Sequence, residues 1–469
     1  MTAPHRKAPM FRRLFGAAAG ALIACAVHAA DRPHIVIVLA DDLGWRDTGF
    51  HGAQVKTPNL DRLAAGGAVL NALYVQTYSS QTRAALLTGR YPMRYGLQTF
   101  SIARTAGYGL PKEERTVAQS LRDKGYRTAF VGDWRLGHAQ PDLWPTRRGF
   151  DQFYGSLAGA VESVIRKGAK TDWRRGEKPA ADAGYVTDLV ANEAVAVIRR
   201  HDVSAPLFLV AAFNAPAHYE EVPRDLREGL KAVEDDTRRS YLAAVAGFDR
   251  ALGTIAAELE RRQMTGDTLL LLLSDNGGAV PLRFPTGDAD VRRPAADNGM
   301  FREGRGSLYE GGVRGVALAS WPGRLAPGTV VTESLHVTDL AATVLALGGG
   351  EPDAQRPLDG ADVWPVLAQR KKTPHRELLL HMDEFRGAIR IGEWKLIVHA
   401  AMPAKTELYD IANDPEEAEN AAGTYPDRVK ALQERLDAFA YDMAPSLYLD
   451  ALGTAASPAL WRANPPRRD

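Results

Sequence analysis

Apolar and polar positions alternate along the chain in blocks that predict buried strands followed by helices. Residues 34–40 are mostly apolar and rich in β-branched side chains, which is typical of a strand buried on both faces of a mainly parallel sheet. Residues 206–212 and 268–273 have the same character. Apolar residues at helical spacing, among them Tyr241, predict a helix from about 237 to 262. The alternation predicts an α/β fold, with a large mixed, mainly parallel sheet flanked by helices.

The pattern changes near residue 352, where short strand-like segments at 378–381 and 395–398 precede a helix predicted over 427–439. These elements indicate a small α+β C-terminal subdomain. From residue 443 the chain is rich in Pro, Ala and Arg, which predicts a loosely ordered tail. The predicted division is an export signal at 1–30, a catalytic α/β domain at 31–350, a C-terminal subdomain at 351–442 and a tail at 443–469.

The N-terminal segment differs from the rest of the chain. Basic residues precede an apolar run at 14–27, and small residues follow at 29–30. This pattern predicts a signal for export to the periplasm or the medium. The single cysteine, Cys25, lies in this segment, either as a lipid-acylated residue or as a small apolar residue of a discarded signal. No later segment resembles a transmembrane helix.

The net charge of the chain bears on which classes of molecule it could bind. The chain has 58 Lys and Arg against 57 Asp and Glu, a formal net charge of +1. No global field therefore favours nucleic acid, so we expect no nucleic-acid partner. Any preference for anions has to come from a local cluster of side chains.

Polar side chains follow two of the predicted strands. Asp41 and Asp42 follow the first, and Asp275 and Asn276 follow the strand at 268–273. A single Asp-Asp pair after a strand is more often a solvated turn than a metal site. Two such groups at carboxyl ends of strands instead form an all-oxygen ligand set, which suits Ca²⁺ or Mg²⁺.

A candidate nucleophile lies between these two groups. Ser79 precedes a predicted short helix that has Arg83 one turn inside it and ends at Gly89. The free N–H groups of a helix N-terminus and the donor fork of an arginine both favour a tetrahedral oxyanion. The alternative is a Ser/Thr-rich loop that caps an ordinary helix.

From residue 34 almost to the C-terminus, the sequence resembles the sulfatases of the alkaline phosphatase superfamily. Within that family it looks most similar to the arylsulfatase B type, for instance at Pro-Thr-Arg-Arg-Gly-Phe-Asp (145–151). The matching segments, in order, are Ala-Asp-Asp-Leu-Gly (40–44), Thr-Pro-Asn-Leu-Asp (57–61), 83–89, Ser-Asp-Asn-Gly-Gly (274–278), Tyr-Glu-Gly-Gly-Val-Arg (309–314), Gly-Glu-Trp-Lys-Leu-Ile (392–397), Glu-Leu-Tyr-Asp (407–410) and Asp-Pro (414–415).

The resemblance implies a mechanism. In the family a cysteine, or in some bacterial members a serine, is oxidised to formylglycine by a maturation enzyme. The hydrate of formylglycine attacks sulfur, and its second hydroxyl later expels sulfate. Ser79 stands at that position, and His218 matches a histidine that contacts the sulfate group. The resemblance also implies a Ca²⁺ that polarises the sulfate oxygens, with these ligands: Asp41, Asp42, Asp275 and Asn276.

Several positions depart from the family pattern. Serine replaces cysteine at Ser79, and Gln81 replaces the usual Pro or Ala of the modification motif. The family's Gly-Lys-Trp-His-Leu-Gly has Asp133 at the lysine and Arg135 at the histidine, and Arg305 replaces a later lysine. Arg135 and Arg305 keep a positive charge. For Asp133 we consider two hypotheses, pairing with Arg135 or joining the metal ligands.

The function predicted from these residues is a sulfuric ester hydrolase that acts on aryl or carbohydrate sulfate esters. Two alternatives stay open: a catalytically inactive protein that binds sulfated glycans, and a phosphoester hydrolase that uses unmodified Ser79. Variable loops such as 102–110 and 281–298 are expected to set specificity. The predicted catalytic residues are Ser79, Arg83, His218, Arg135 and Arg305.

Overall fold

The computed structural model describes residues 1–2, 32–159, 161–280, 295–375, 377–401 and 403–456. The strands are β1 (His34–Asp41), β2 (Ala68–Leu70), β3 (Leu73–Tyr74), β4 (Arg127–Gly132), β5 (Gln152–Ser156), β6 (Val164–Ile165), β7 (Trp173–Arg175), β8 (Lys178–Pro179), β9 (Gly184–Tyr185), β10 (Leu207–Pro216), β11 (Thr268–Ser274), β12 (Ala317–Ser320), β13 (Thr329–Val331), β14 (Leu335–His336), β15 (Glu377–Met382), β16 (Arg386–Ile391), β17 (Trp394–His399) and β18 (Lys405–Asp410). The α-helices are α1 (Pro58–Gly66), α2 (Ser79–Thr88), α3 (Val117–Asp123), α4 (Val186–Arg200), α5 (Arg224–Glu228), α6 (Asp236–Arg261), α7 (Glu310–Val313), α8 (Val337–Gly348), α9 (Trp364–Gln369), α10 (Pro426–Tyr441) and α11 (Leu447–Ala456).

The described residues form a ten-stranded sheet, in the order β13-β2-β12-β11-β1-β10-β4-β5-β7-β8. Its central strands β11, β1, β10, β4 and β5 run parallel, and antiparallel pairs flank them on both sides. β1 is fully buried over its whole length, as expected for a strand covered on both faces. The predicted α/β fold, with a mixed and mainly parallel sheet, is confirmed.

Alternate residues of β1 point into two separate cores. Ile35 and Ile37 pack on the face covered by α2, α3 and α8, whereas Val36 and Val38 pack on the face covered by α1, α4 and α6. This is the two-residue period of a strand. No helix within the described ranges is both long and apolar enough to span a membrane.

A second, antiparallel sheet has the order β15-β16-β17-β18 and packs against α10. It meets the main domain through a buried ion-pair group: Lys395 Nζ lies 2.9 Å from Glu310 Oε1 and 2.8 Å from Glu417 Oε1. The small α+β C-terminal unit is confirmed as part of the fold, and its predicted boundaries at 351 and 442 stay predictions.

Within the predicted tail, residues 447–456 form helix α11, and the predicted loose order of 443–469 stays a prediction. Leu447 packs against the main core and its N–H donates to Gly96 O at 2.9 Å, so an apolar anchor fixes this end of the chain. The remainder of the tail, Cys25 and all but the first two residues of the predicted export signal lie outside the described residues.

Candidate active site and metal centre

Four neighbouring parallel strands, β11, β1, β10 and β4, end side by side, and most of the predicted site residues lie at or just after their ends. Ala40 pairs with Ser274, and the N–H of Asp275 donates to Ala40 O at 3.0 Å, so the ends of β1 and β11 are joined. His218 follows β10. Asp133 follows β4, on the other side of β10, and its N–H donates to Ala212 O at 2.9 Å. The carboxyl edge of the sheet thus gathers residues that are far apart in the chain.

Asp42 has a left-handed backbone, with φ 59°. Such a conformation costs a non-glycine residue roughly 1–3 kcal/mol and persists only where neighbours hold it. Tyr241 of α6 supplies that restraint: its hydroxyl donates to Asp42 O at 3.0 Å and accepts from the N–H of Gly44 at 3.0 Å. The turn after β1 is therefore fixed from the opposite helix.

Three aspartates form the centre of the site. Oxygens of Asp41, Asp42 and Asp275 lie within 4.8 Å of one another, and all three residues are buried. The fourth predicted ligand, Asn276, is also buried, and its Nδ2 donates to Asp42 Oδ1 at 2.6 Å. Carboxylates this close and this dry require compensating cations.

Arginines contact each carboxylate of this cluster. Arg83 Nη1 donates to Asp275 Oδ2, Arg135 Nη2 lies 2.9 Å from Asp41 Oδ2, and Arg305 Nε lies 3.3 Å from Asp42 Oδ1. All three guanidinium groups are buried or nearly so. The cluster is therefore both rich in oxygen ligands and surrounded by anion-binding groups.

Ser79 is the first residue of α2, with Tyr78 as the N-cap, so the helix begins one residue earlier than predicted. Its hydroxyl donates to Asp41 Oδ1 at 3.2 Å and lies 3.4 Å from Asn276 Oδ1. Arg83 is one turn further on, and Gly89 ends the helix with φ 70°, as predicted. The candidate nucleophile is in contact with two of the four candidate metal ligands.

Arg83 is held on several sides. Its Nε donates to Asp133 O at 3.3 Å and its Nη1 to Ser79 O at 3.3 Å. Its Nη2 is buried and has no hydrogen-bond partner within the part of the chain that the structure describes. A buried donor without a partner costs about 1–3 kcal/mol, so this nitrogen is suited to an anion.

Asp133 pairs with Arg135, which agrees with the first of the two hypotheses. Arg135 Nη2 lies 3.3 Å from Asp133 Oδ2 as well as 2.9 Å from Asp41 Oδ2. Gly159 makes room for this guanidinium, because a Cβ built there would lie 2.3 Å from Arg135 Nε. Asp133 is not one of the three carboxylates whose oxygens converge.

His218 lies at the margin of the cluster. It follows Ala217, whose N–H donates to Asp41 O at 2.9 Å, and its Nδ1 is 3.8 Å from Glu220 Oε1. The structure thus brings every predicted site residue to one edge of the sheet.

Burial sets the electrostatics of the cluster. It raises the pKa of Asp275, repulsion by Asp41 adds to this, and Arg83 opposes it. Burial likewise raises the pKa of Asp133, against the attraction of Arg135. Both carboxyls are thus stabilised as anions only by the cations beside them.

Comparison with known proteins identifies the family. The sulfatase family model matches residues 33–350, and a model described as N-sulphoglucosamine sulphohydrolase, C-terminal, matches 299–442. The first covers more than half of the chain. This protein belongs to the sulfatase family. Like other sulfatases it is a sulfuric ester hydrolase of the aryl or carbohydrate type.

Curated relatives of this sulfatase match most of its length. Human arylsulfatase A is 31% identical over 88% of this chain and 88% of its own. Human N-acetylgalactosamine-6-sulfatase is 32% identical over 78% of this chain and 72% of its own. Mouse arylsulfatase J is 29% identical over 89% and 77%. The narrower resemblance to the arylsulfatase B type stays a prediction.

Solved structures agree on the fold. Ps i-CgsB, solved in complex with k-i-k-neocarrahexaose, has a TM-score of 0.81 and 26% identity, and the match covers 93% of this sulfatase and 98% of that chain. The phosphonate monoester hydrolase of Agrobacterium radiobacter, at 20% identity and a TM-score of 0.62, shares the fold alone.

Sequence reasoning missed the role of Tyr241 and the contact between the C-terminal segment and the region around Ser79. Tyr241 was placed only on the apolar face of its helix. A signal was present, since a tyrosine in a buried stripe needs a partner for its hydroxyl. Burial raises the pKa of Tyr241 well above its ordinary value, so the hydroxyl stays protonated and able to donate.

Proposed function

We propose that this sulfatase hydrolyses aryl or carbohydrate sulfate esters with the side chain at position 79 as nucleophile. The observation that carries the proposal is the contact of the Ser79 hydroxyl with Asp41 at 3.2 Å and Asn276 at 3.4 Å. A nucleophile at this point would reach a sulfate group held by a cation in the aspartate cluster and by the arginines beside it. If Ser79 is oxidised to formylglycine, its hydrate supplies the attacking and the sulfate-releasing hydroxyls.

The residues of this chain share the work of binding the anion. Arg83 offers its unpartnered Nη2, and the N-terminus of α2, which begins at Ser79, is a position that favours an anion. Arg135 adds a fixed charge beside Asp41 and Arg305 adds another beside Asp42. His218, just after β10, would contact the sulfate group, as the family resemblance implies. These fixed donors favour the charge that develops on the sulfate oxygens.

The donor set fits a hard divalent cation. The proposed ligands are the three clustered carboxylates and the amide oxygen of Asn276, all oxygens and all buried. A Ca²⁺ held there, or Mg²⁺ in its place, would polarise the ester's sulfate oxygens.

The first test asks what residue 79 is. Trypsin releases Ser79 in the peptide 63–83. We expect this peptide, isolated from the native host, to have lost two hydrogens, with fragment ions that place the loss at position 79. Ser80→Ala is the matched control and keeps the loss, whereas Ser79→Ala abolishes it. An unmodified peptide in an active protein would exclude formylglycine.

The second test measures turnover of aryl sulfate and aryl phosphate, with and without Ca²⁺. We expect calcium-dependent sulfatase activity that falls roughly 10⁴- to 10⁶-fold in Ser79→Ala. Arg83→Lys keeps the charge but loses the fork, so it should retain part of the activity. Turnover of phosphate alone would instead support the phosphoester hydrolase, and binding of sulfated glycans without turnover would support the inactive protein.

A further inference from the structure

Three distant segments meet beside the first turn of α2. The N–H of Ile102 donates to Ser80 Oγ at 3.1 Å, and Gln81 Nε2 donates to Gln98 O, so the loop 98–102 lies against the residues that follow Ser79. The turn 383–385 and the C-terminal segment 444–448 contact the same loop. The turn 383–385 joins β15 to β16 of the antiparallel sheet, and the segment 444–448 leads into α11.

The C-terminal segment is fixed in place. The N–H of Ala444 donates to Met93 O at 2.8 Å and that of Leu447 to Gly96 O at 2.9 Å. Gly96 has φ +86°, and a Cβ there would lie 2.7 Å from Pro445 O, so only glycine admits this approach. The start of α11 is thus held against residues 93–96, which follow α2 in the chain.

Aromatic rings connect the site to this helix. The ring of Phe100 lies 5.8 Å from that of Tyr78 and 4.9 Å from that of Tyr448, the latter edge to face. Tyr78 immediately precedes Ser79, and Arg305 Cζ lies 5.4 Å from its ring centroid. Phe100 and Tyr448 are both partly exposed. Two successive ring contacts thus connect the partly exposed ring of Tyr448, through Phe100, to Tyr78, the residue before the nucleophile.

The carboxylate of Glu384 accepts hydrogen bonds from the two residues that precede Phe100 in the chain. Glu384 Oε1 accepts from Gln98 Nε2 at 2.9 Å, and its Oε2 accepts from Thr99 Oγ1 at 3.0 Å. Thr99 Oγ1 in turn lies 2.5 Å from Ser446 Oγ. Glu384 is partly exposed, and each oxygen retains a lone pair for a further donor. A carboxylate that is fixed and half-open is suited to bind hydroxyl groups.

We propose that Phe100, Tyr448 and Glu384 form the subsite for the leaving group, and that the leaving group is a sugar ring. This subsite proposal rests on the proposed function, because the leaving group is the part of the sulfate ester that keeps the ester oxygen after hydrolysis. The rings pack on the apolar face of a pyranose and Glu384 accepts its hydroxyls. The negative charge of Glu384 disfavours a second sulfate on the same sugar.

Binding to the Ser79→Ala protein tests the subsite separately from catalysis. The probes are inorganic sulfate and N-acetylgalactosamine 6-sulfate, measured by calorimetry in the presence of Ca²⁺. We expect the sulfated sugar to bind more tightly than sulfate. Phe100→Ala and Tyr448→Ala should each weaken the sugar about 2- to 10-fold and leave inorganic sulfate unchanged. Phe100→Leu keeps the bulk without the ring and should also weaken the sugar.

Tyr441→Ala is the matched control, because Tyr441 is 92% exposed, and it should change neither affinity. Equal affinities for sulfate and the sugar, or a sugar affinity unaffected by the ring variants, would overturn the subsite while leaving the sulfate site intact. Failure of inorganic sulfate to bind, with a sugar affinity that still depends on Phe100, would overturn the proposed sulfate site instead. Failure of both probes to bind would overturn both.

The charge of Glu384 has its own test. N-acetylgalactosamine 4,6-disulfate should bind about fivefold more weakly than the 6-sulfate, the effect of two like charges roughly 4 Å apart in water. Glu384→Gln should remove this difference and leave inorganic sulfate unchanged. If the Glu384→Gln variant still bound the 6-sulfate about fivefold more tightly than the 4,6-disulfate, the charge of Glu384 would not be the cause of that difference.

Discussion

Tyr241→Phe tests whether the metal-binding turn is fixed from α6. The variant removes one hydroxyl and no other atom, and phenylalanine fills the same space. Two buried backbone groups then lose their partner, namely the N–H of Gly44 and the carbonyl of Asp42, each now 3.0 Å from the hydroxyl. Leaving a buried polar group unsatisfied costs about 1–3 kcal/mol, so we expect a total loss near 3 kcal/mol.

The predicted loss is measurable in two ways. For a chain of 469 residues, unfolding entropy scales so that about 3 kcal/mol lowers the melting temperature by roughly 3 °C. Release of the left-handed backbone of Asp42 should also lower Ca²⁺ affinity about tenfold, because the strain of roughly 1–3 kcal/mol then has to be met by the metal. Calorimetric titration of metal-free protein with Ca²⁺ measures this second effect.

The matched control is Tyr126→Phe. The Tyr126 hydroxyl donates to Pro33 O at 2.9 Å, before the start of β1 and at the opposite edge of the sheet from the site. This variant should lower the melting temperature and leave Ca²⁺ affinity unchanged. If Tyr241→Phe also left Ca²⁺ affinity unchanged, the idea that Tyr241 holds Asp42 in its ligand position would be refuted.

Three further predictions follow from the same contacts. Gly159→Ala should displace Arg135, whose Nε lies 2.3 Å from the added Cβ, and so weaken inorganic sulfate binding in calorimetry. Asp133→Asn should lower Ca²⁺ affinity by less than about tenfold, whereas Asp275→Asn should lower it roughly 100-fold or more, because only Asp275 belongs to the aspartate cluster. Equal losses of affinity in the two variants would show that Asp133 is a ligand. Burial lowers the pKa of His336 from 6.5 to about 4. Below pH 6.5 this histidine is therefore protonated in the unfolded chain but neutral in the folded one. The free energy of unfolding, measured by urea titration, should fall by up to about 3 kcal/mol from pH 6.5 to pH 4. His336→Gln should flatten that slope, and an unchanged slope would assign it to other groups.

The fold was predictable because its central strands are buried on both faces. Continuous apolar runs at 34–40, 206–212 and 268–273 became β1, β10 and β11, with ends within a few residues of those expected. Polar residues directly after such strands have to meet at one edge of the sheet, which is why the aspartate cluster could be anticipated.

Other features depended on tertiary contacts that local pattern does not encode. The composition of the tail indicates loose order, whereas residues 447–456 form α11, whose start is held by contacts of Leu447 and Tyr448 with residues more than 300 positions earlier in the chain. The choice between two partners for Asp133 needed the position of Arg135. Glu384 joins the loop around Phe100 only through the C-terminal sheet, more than 280 residues further along the chain.

The complete burial of Ser79 has a consequence for timing. Its side chain has 0% exposure, and its neighbour Gln81 is equally enclosed. A second protein could bind this stretch only before the chain folds, because the folded protein encloses the Ser79 hydroxyl against Asp41, at the end of β1, and Asn276, after β11. If Ser79 is oxidised to formylglycine, as proposed, that reaction therefore has to precede folding. Under that proposal, protein produced in a cell without a maturation enzyme would keep serine at position 79, and adding the enzyme after folding would not oxidise it.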